Sequence, residues 1–143
     1  MKQRATTNYQ PHSGISRDRP IAAIMALLTL GAGFTSRSGM LPPALAKPAG
    51  VTLWCALVYW IIAALLPRLP VWRVCIAATA TGWCVEFLQL TPFPAWLASK
   101  FPLSKWVLGR VFHLHDLWWY AVGAVVAALA HRLIHEFFSH ERK

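Results

Sequence analysis

Four long apolar runs alternate with short polar, proline-containing segments along the chain. The runs cover residues 21–34, 49–66, 71–90 and 111–134. A transmembrane helix needs about 17–25 predominantly apolar residues, so the last three runs are long enough and the first requires a tilted or locally thinned arrangement. The pattern predicts an all-α integral membrane bundle of four transmembrane helices, which occupies residues 20–134 as one domain.

The two ends of the chain differ from this membrane part. Residues 1–19 are polar and basic, which is typical of a disordered N-terminal tail, and residues 135–143 form a polar C-terminal tail. A cleaved signal peptide is the alternative for the first run, because Ala44-Leu45-Ala46 has the small-x-small form of a cleavage site. That site lies well beyond the end of the run, with Arg37 and two prolines between them, so we expect the run to be retained as a span.

Composition supports the membrane assignment. Hydrophobic residues make up 57% of the chain and charged residues only 13%, whereas soluble domains carry about 25% charged residues. The net charge of +9 could suggest a nucleic-acid partner. The basic residues instead lie in short groups between the apolar runs, as in membrane loops, and we expect no nucleic-acid binding.

The distribution of basic residues predicts the orientation. If the N-terminus is cytoplasmic, nine basic residues lie on the inner side (Lys2, Arg4, Arg17, Arg19, Arg68, Arg73, Arg132, Arg142 and Lys143) and five on the outer side (Arg37, Lys47, Lys100, Lys105 and Arg110). The positive-inside rule then places both termini in the cytoplasm of a bacterial inner (plasma) membrane that the chain crosses several times. Tryptophans near the expected interfaces agree with this orientation, namely Trp72 inside and Trp96, Trp106, Trp118 and Trp119 outside.

Two carboxylates, Glu86 and Asp116, are the only acids between Arg19 and His135. A charged side chain at the centre of a span costs about 2.5–3.5 kcal/mol on insertion scales, so an intramembrane carboxylate is by default a functional-site hypothesis. Gln89 follows Glu86 at i+3 and shares its helix face. Tyr120, Gly123 and Ala127 continue the stripe of Asp116 with a phenol and then small residues suited to close helix packing.

In the predicted topology, Glu86, Gln89, Arg110 and Asp116 come to one depth near the outer face, with Tyr120 beside them. A structural interpretation is that Arg110 neutralises a carboxylate, because an unpaired buried charge is expensive. A functional interpretation is a polar pocket that binds a lipid headgroup or lipid-linked amphiphile, since arginine is suited to phosphate and carboxylate recognition. We assign these five residues as the candidate ligand-binding site and assign no catalytic residue.

Two histidine groups suggest metal binding, but the spacing does not specify a complete ligand set. His113 and His115 precede Asp116, and His131 and His135 are separated by four residues. Such nitrogen and oxygen ligands suit zinc, yet no fourth ligand follows from the sequence, and we predict no metal. Motifs for nucleotide cofactors are also missing, so we predict no cofactor. The three cysteines, Cys55, Cys75 and Cys84, fall inside apolar runs and are expected to pack as buried thiols.

The connection from Thr91 to Arg110 contains three prolines and alternates apolar residues with lysines. This composition fits a segment that lies in the membrane interface rather than one that spans it. It would either cap the polar pocket as a lid or serve as an anchored loop.

The order of these motifs resembles that of VanZ-like membrane proteins. Glu86-x-x-Gln89, then Arg110-x5-Asp116-x3-Tyr120-x2-Gly123, is similar to the VanZ pattern, with Tyr120 in place of its usual Asn. A sister family, often labelled "ribosomal maturation YjgA family", is a closer match; its further motifs are seen as Gly33, Arg37 and the segment 50–54, where Val51 replaces an Asp. The resemblance covers residues 31–130. It implies a small bacterial envelope protein, and VanZ proteins are linked to low-level resistance to the lipid-tailed glycopeptide teicoplanin.

Three functional hypotheses follow. The leading one is a non-catalytic protein that binds a membrane lipid or lipid-linked amphiphile. The second is an enzyme acting on a lipid headgroup, with Glu86 or Asp116 as general acid or base. The third is a channel or transporter that requires a homo-oligomer, or a subunit of another membrane protein, because four spans leave little room for a pathway.

Overall fold

The protein is all-α over the residues that a computed structural model describes, which are 15–36, 38–109 and 111–140. Six helices follow one another along this part of the chain: α1 (Ile15–Ser36), α2 (Pro43–Leu65), α3 (Val71–Leu88), α4 (Phe93–Lys100), α5 (Ser104–Leu108) and α6 (Asp116–His140). The N-terminal residues 1–14, Arg37, Arg110 and residues 141–143 lie outside the described residues.

Four of these helices are long and apolar enough to cross a membrane. The candidate spans are Arg19–Ser36, Ala44–Leu65, Val71–Leu88 and Asp116–Phe138. Even the 18-residue helix α3 extends for about 27 Å at 1.5 Å per residue, close to the hydrocarbon thickness of a bilayer. The prediction of an all-α bundle with four membrane helices is confirmed.

The prolines lie deeper in the helices than the apolar runs suggested. Pro20 is inside α1 and Pro48 is inside α2, although both were predicted to precede their helices. Each proline lies in the second turn, where its missing N–H removes only one backbone hydrogen bond near the start of a long helix. Helix α1 consequently begins at Ile15, within the segment predicted as a disordered tail, and α2 begins at Pro43.

The last span begins later than predicted. Helix α6 starts at Asp116 rather than at residue 111, and it continues to His140. The backbone N–H of His113 donates to the carboxylate of Glu86, and the backbone N–H of Asp116 donates to the carbonyl of His113. The segment 111–115 is therefore a turn that reaches across to α3, and not the first turn of a helix.

Helix α2 is the centre of the bundle and packs against α1, α3 and α6. Its buried residues include Cys55, Tyr59 and Trp60, which are at most 2% exposed. Helix α1 faces α2 with Ala22, Thr29 and Ser36, which recur every seven residues and are buried. Small side chains along this stripe allow the two helices to approach closely without a bulky interface.

Helices α3 and α6 meet along stripes with a four-residue period. On α3 the buried residues are Val74, Ala78, Gly82 and Glu86. On α6 they are Asp116, Tyr120, Gly123, Ala124 and Ala127. Both stripes have small residues in their middle and a carboxylate at the same end of the bundle. The close packing of α3 on α6 therefore brings the two carboxylate-bearing ends together.

The outward faces of the spans are strongly apolar. Leu27 of α1, Ile76 of α3 and Leu133 of α6 are 69%, 60% and 66% exposed. Leaving such side chains exposed to water would be costly over so many positions, whereas lipid tails solvate them. Cys84 also lies on an exposed face, which corrects the expectation that all three thiols are buried; Cys55 is buried and Cys75 is partly buried.

Candidate ligand-binding site

A cavity of about 530 Å³ opens at the end of the bundle where α2 begins, α3 ends and α6 begins. Its volume falls in the range of about 300–1,000 Å³ that is usual for small-molecule sites. Its polar lining side chains are Lys47, Glu86, Gln89, His113, Asp116 and Tyr120, and its apolar ones include Val51, Trp54, Val107, Leu108 and Val111. Polar groups and apolar walls therefore share one space.

Glu86 is the most deeply buried of the polar groups, at 1% exposure. One carboxylate oxygen accepts the backbone N–H of His113, and the other accepts the hydroxyl of Tyr120 at 3.2 Å. These two donors compensate part of the cost of burying the carboxylate. A carboxylate has about four acceptor positions, so both oxygens keep capacity for a further donor or a cation.

Tyr120 reaches Glu86 because Gly82, which lies one turn before Glu86 on α3, leaves space for the tyrosine ring. A β-carbon at position 82 would come within 2.7 Å of the Tyr120 ring, so glycine is what allows the ring to lie flat against α3. Trp54 of α2 packs against the same ring in a T-shaped arrangement, with centroids 5.7 Å apart. The phenol is thereby fixed between three helices and aimed at the cavity.

Asp116 is 8% exposed and pairs with Lys47 of α2, whose Nζ lies 3.4 Å from the nearer carboxylate oxygen. The side chain of Lys47 is half exposed, so water screens this ion pair and its contribution to stability is small. The two residues lie in the first turns of their helices. Their pairing brings the starts of α2 and α6 to the same level.

Gln89 connects the end of α3 with the loop before α6. Its amide nitrogen donates to the carbonyl of Leu108 at 2.7 Å. Gly109, which follows, has a φ of +66°, and a β-carbon there would come within 2.7 Å of the same amide nitrogen. The amide oxygen of Gln89 is buried and has no hydrogen-bond partner among the described residues. Gln89, which lines the cavity, therefore has an acceptor that no described residue uses.

The connection after α3 lies over this end of the bundle. It consists of the short helices α4 and α5 and does not form a fifth span. Its last residues, Val107, Leu108 and Gly109, line the cavity. The connection thus contacts the polar pocket through the hydrogen bond from Gln89, and whether it acts as a lid or as an anchored loop stays a prediction.

Four of the five candidate site residues come together around this cavity: Glu86, Gln89, Asp116 and Tyr120. The fifth, Arg110, lies outside the described residues. Lys47 was not among the predicted site residues, because in the sequence it is one of five basic residues on the expected outer side. Its position five residues before Thr52 on α2 carried no signal of a partner, because the pairing with Asp116 depends on how α2 packs on α6.

A metal-binding arrangement also became visible only in three dimensions. Ligand atoms of Glu86, His113 and Asp116 all lie within 4.8 Å of one another. The sequence suggested His113 and Asp116 together but supplied no ligand from another helix. His115, the second histidine of that group, is exposed and is not part of the cluster.

Comparison with known proteins gives a family but no activity. No curated protein and no solved structure matches the chain. The profile of the family described as "Protein of unknown function (DUF2809)" matches residues 40–124, which include α2 to α5 and the first part of α6. This match names neither VanZ-like nor YjgA-type proteins, and that resemblance stays a prediction. Because the match covers more than half of the chain and includes the lining of the cavity, this membrane protein belongs to the DUF2809 family.

Proposed function

We propose that the protein binds a membrane amphiphile by accepting its polar head in the cavity between α2, α3 and α6. The observation that carries this proposal is the meeting of both buried carboxylates with apolar walls in one 530 Å³ space at the end of the bundle. An amphiphile is the ligand class that presents a polar head at this depth and keeps an apolar tail in the bilayer. Lipids and lipid-linked molecules both meet that description.

The polar groups specify the chemistry of the head. Glu86, Asp116 and the amide oxygen of Gln89 are hydrogen-bond acceptors, and the last has no partner among the described residues. Such acceptors favour hydroxyl or ammonium groups on the ligand. Lys47 is half exposed and adds a cation at the rim, which favours a neighbouring anionic group. A head that combines donors with an anionic group, such as an ammonium beside a phosphate, satisfies both requirements.

The positive-inside rule predicts that this end of the bundle lies at the outer face. The protein would then receive a lipid or lipid-linked amphiphile of the outer leaflet of the bacterial inner membrane, in keeping with an envelope role. This proposal does not require turnover. An enzyme using Glu86 as a general base is less favoured, because two donors already stabilise the ionised carboxylate and make it a weaker base.

The test is to purify the full chain in nanodiscs formed from native membrane and to identify retained lipids by mass spectrometry. Ala46→Phe places a ring in the cavity without touching a charged group, since Ala46 lines it. Ala44→Phe is the matched control, because Ala44 is exposed on the same helix and does not line the cavity. We expect one enriched amphiphile with the wild type and the control, and its loss with Ala46→Phe.

Bulk lipid composition in all three samples would overturn the proposal, provided that the variants keep the wild-type unfolding temperature. Enrichment that survives Ala46→Phe would place the ligand elsewhere on the protein. Asp116→Asn is a second variant for the same lipid measurement, since it removes a charge at the cavity but keeps the volume of the side chain.

A further inference from the structure

We propose that Glu86, His113 and Asp116 form a binding site for a divalent transition-metal ion such as Zn²⁺ or Mn²⁺. Their ligand atoms lie within 4.8 Å of one another, although the residues come from α3, from the turn after α5 and from the start of α6. Two carboxylates and one imidazole are a donor set that these ions accept. Both proposals use the two buried carboxylates, and the metal site adds the position and orientation of the His113 imidazole, on which the amphiphile proposal does not depend.

The imidazole of His113 is oriented as in a metal ligand. Its Nδ1 lies 2.7 Å from the backbone carbonyl oxygen of Val111, which can only accept a hydrogen bond. Nδ1 therefore carries the proton of the neutral ring, and Nε2 presents a lone pair. Metal-ligating histidines almost always donate their other ring N–H to such a carbonyl or carboxylate, which fixes tautomer and orientation.

The distances between the ligand atoms are somewhat longer than those around a bound metal ion. Ligand atoms around a tetrahedral zinc ion at about 2.0–2.1 Å lie about 3.3 Å apart, so the cluster must contract on binding. His113 is exposed and lies outside any helix, and a shift of the segment 111–113 carries the ring together with its hydrogen bond to Val111 and supplies that movement. Glu86 and Asp116 are held in helices and define the fixed side of the site.

The charges around the cluster favour a cation. The described lining of the cavity contains two carboxylates against one lysine, and that lysine is half exposed. A divalent ion between Glu86 and Asp116 would stabilise both buried carboxylates at once, in a setting where Coulomb interactions are stronger than in water. The amide oxygen of Gln89, which has no hydrogen-bond partner among the described residues and belongs to the lining of the same cavity, is a further acceptor for an ion-bound water.

Lys47 offers a way to distinguish metal binding from amphiphile binding. It already neutralises Asp116 in part, so it competes with a metal for the same carboxylate. Removing that positive charge should strengthen metal binding, whereas a purely structural ion pair predicts no metal effect at all. The same substitution should weaken binding of an anionic amphiphile head, so the two proposals respond to it in opposite directions.

The experiment uses the full chain in detergent, purified without a histidine tag and stripped with a chelator. Co²⁺ is titrated as a spectroscopic probe, and Zn²⁺ is then added to displace it, with calorimetry for the affinity. We expect one ion per chain in the wild type. His113→Ala should weaken binding at least about tenfold, and Asp116→Asn likewise, while Lys47→Met should tighten it by about threefold or more.

His115→Ala is the matched control, because His115 lies two residues from His113, is exposed and is not part of the cluster. We expect wild-type affinity for it. His113→Ala removes only an exposed ring and keeps the backbone N–H that holds Glu86, so its fold should be retained. Wild-type affinity in His113→Ala, an equal loss in His115→Ala, or no saturable binding in the wild type would each overturn the metal site and leave the amphiphile proposal standing.

Discussion

Gly123 of α6 lies directly against the backbone carbonyl of Thr52 of α2, so closely that a β-carbon at position 123 would overlap the carbonyl oxygen. The obstacle is backbone in the middle of a helix and not the mobile end of a side chain. Small residues are the usual means by which membrane helices approach one another. Since Gly123 lies one turn from Tyr120, this contact also determines the distance between the walls of the cavity.

Gly123→Ala should therefore separate α2 from α6 and lower the free energy of unfolding by about 1–3 kcal/mol, as overpacking does elsewhere. Thermal or denaturant unfolding in detergent micelles measures the change. Gly33→Ala in α1 is the control, because a β-carbon at position 33 would have no neighbouring atom within 4 Å. Alanine favours helix over glycine by about 1 kcal/mol, so the control should be neutral or more stable. Equal unfolding midpoints for the two variants would contradict the close contact.

The hydrogen bond between Tyr120 and Glu86 should appear as a coupling energy. Tyr120→Phe removes one hydroxyl and should cost about 0.5–1.5 kcal/mol. Combined with Glu86→Gln, the effects should deviate from additivity by about 0.5–3 kcal/mol in a double-mutant cycle. Tyr59→Phe is the matched control, since the hydroxyl of Tyr59 pairs with His131 and not with Glu86. Additive effects in both cycles would show that Tyr120 and Glu86 do not interact.

Gln89 should determine the order of the loop over the cavity. Gln89→Leu removes the donor to the carbonyl of Leu108 while it approximately keeps the volume of the side chain. We expect faster amide hydrogen exchange across residues 104–109, with little change in the global unfolding midpoint. Thr91→Val serves as the control, because its hydroxyl bonds only the nearby carbonyl of Leu88 and the backbone N–H of Phe93. Unchanged exchange in Gln89→Leu would mean that the loop is held by other contacts.

The predicted orientation can be tested at two exposed loop positions. Ser38 lies between α1 and α2, and Arg68 lies between α2 and α3. In a background lacking the native cysteines, Ser38→Cys should react with a membrane-impermeant maleimide added to intact cells. Arg68→Cys should react only after the membrane is opened. The reverse pattern would place the cavity at the cytoplasmic face and would remove the outer-leaflet ligands from consideration.

Sequence periodicity was sufficient for the spans and for four of the six polar residues that line the cavity. Three of the apolar runs have membrane length, and the spacing of Glu86 with Gln89, or of Asp116 with Tyr120, fixes a shared helix face whatever the neighbours are. Relations between helices were out of reach of such reasoning. The Lys47–Asp116 pair depends on the packing of α2 against α6, and the metal cluster depends on a turn that carries His113 to α3.

Helix boundaries also depend partly on local sequence and partly on contacts between helices. Pro48 was expected to precede α2, because proline disfavours a helix interior. The free-energy cost of a proline in a helix depends on its distance from the helix start and on what packs against that turn. The local sequence specifies neither. The segment 111–115 has the apolar character of a helix, yet its backbone N–H at His113 is used by Glu86. A tertiary hydrogen bond thus ended a helix that local preference would have extended.

The hydrogen-bond partners of Glu86 also have a consequence for biosynthesis. They are the backbone of His113 and the hydroxyl of Tyr120, which follow it by 27 and 34 residues. At about 5–20 residues per second, a ribosome adds Tyr120 about 2–7 s after Glu86. Throughout that interval α3 carries a carboxylate whose native hydrogen-bond donors have not yet been synthesised. We therefore expect α3 to remain beside the translocation machinery until α6 emerges. We expect insertion of α6 to complete the hydrogen bonds of Glu86 and to allow α3 to move into lipid.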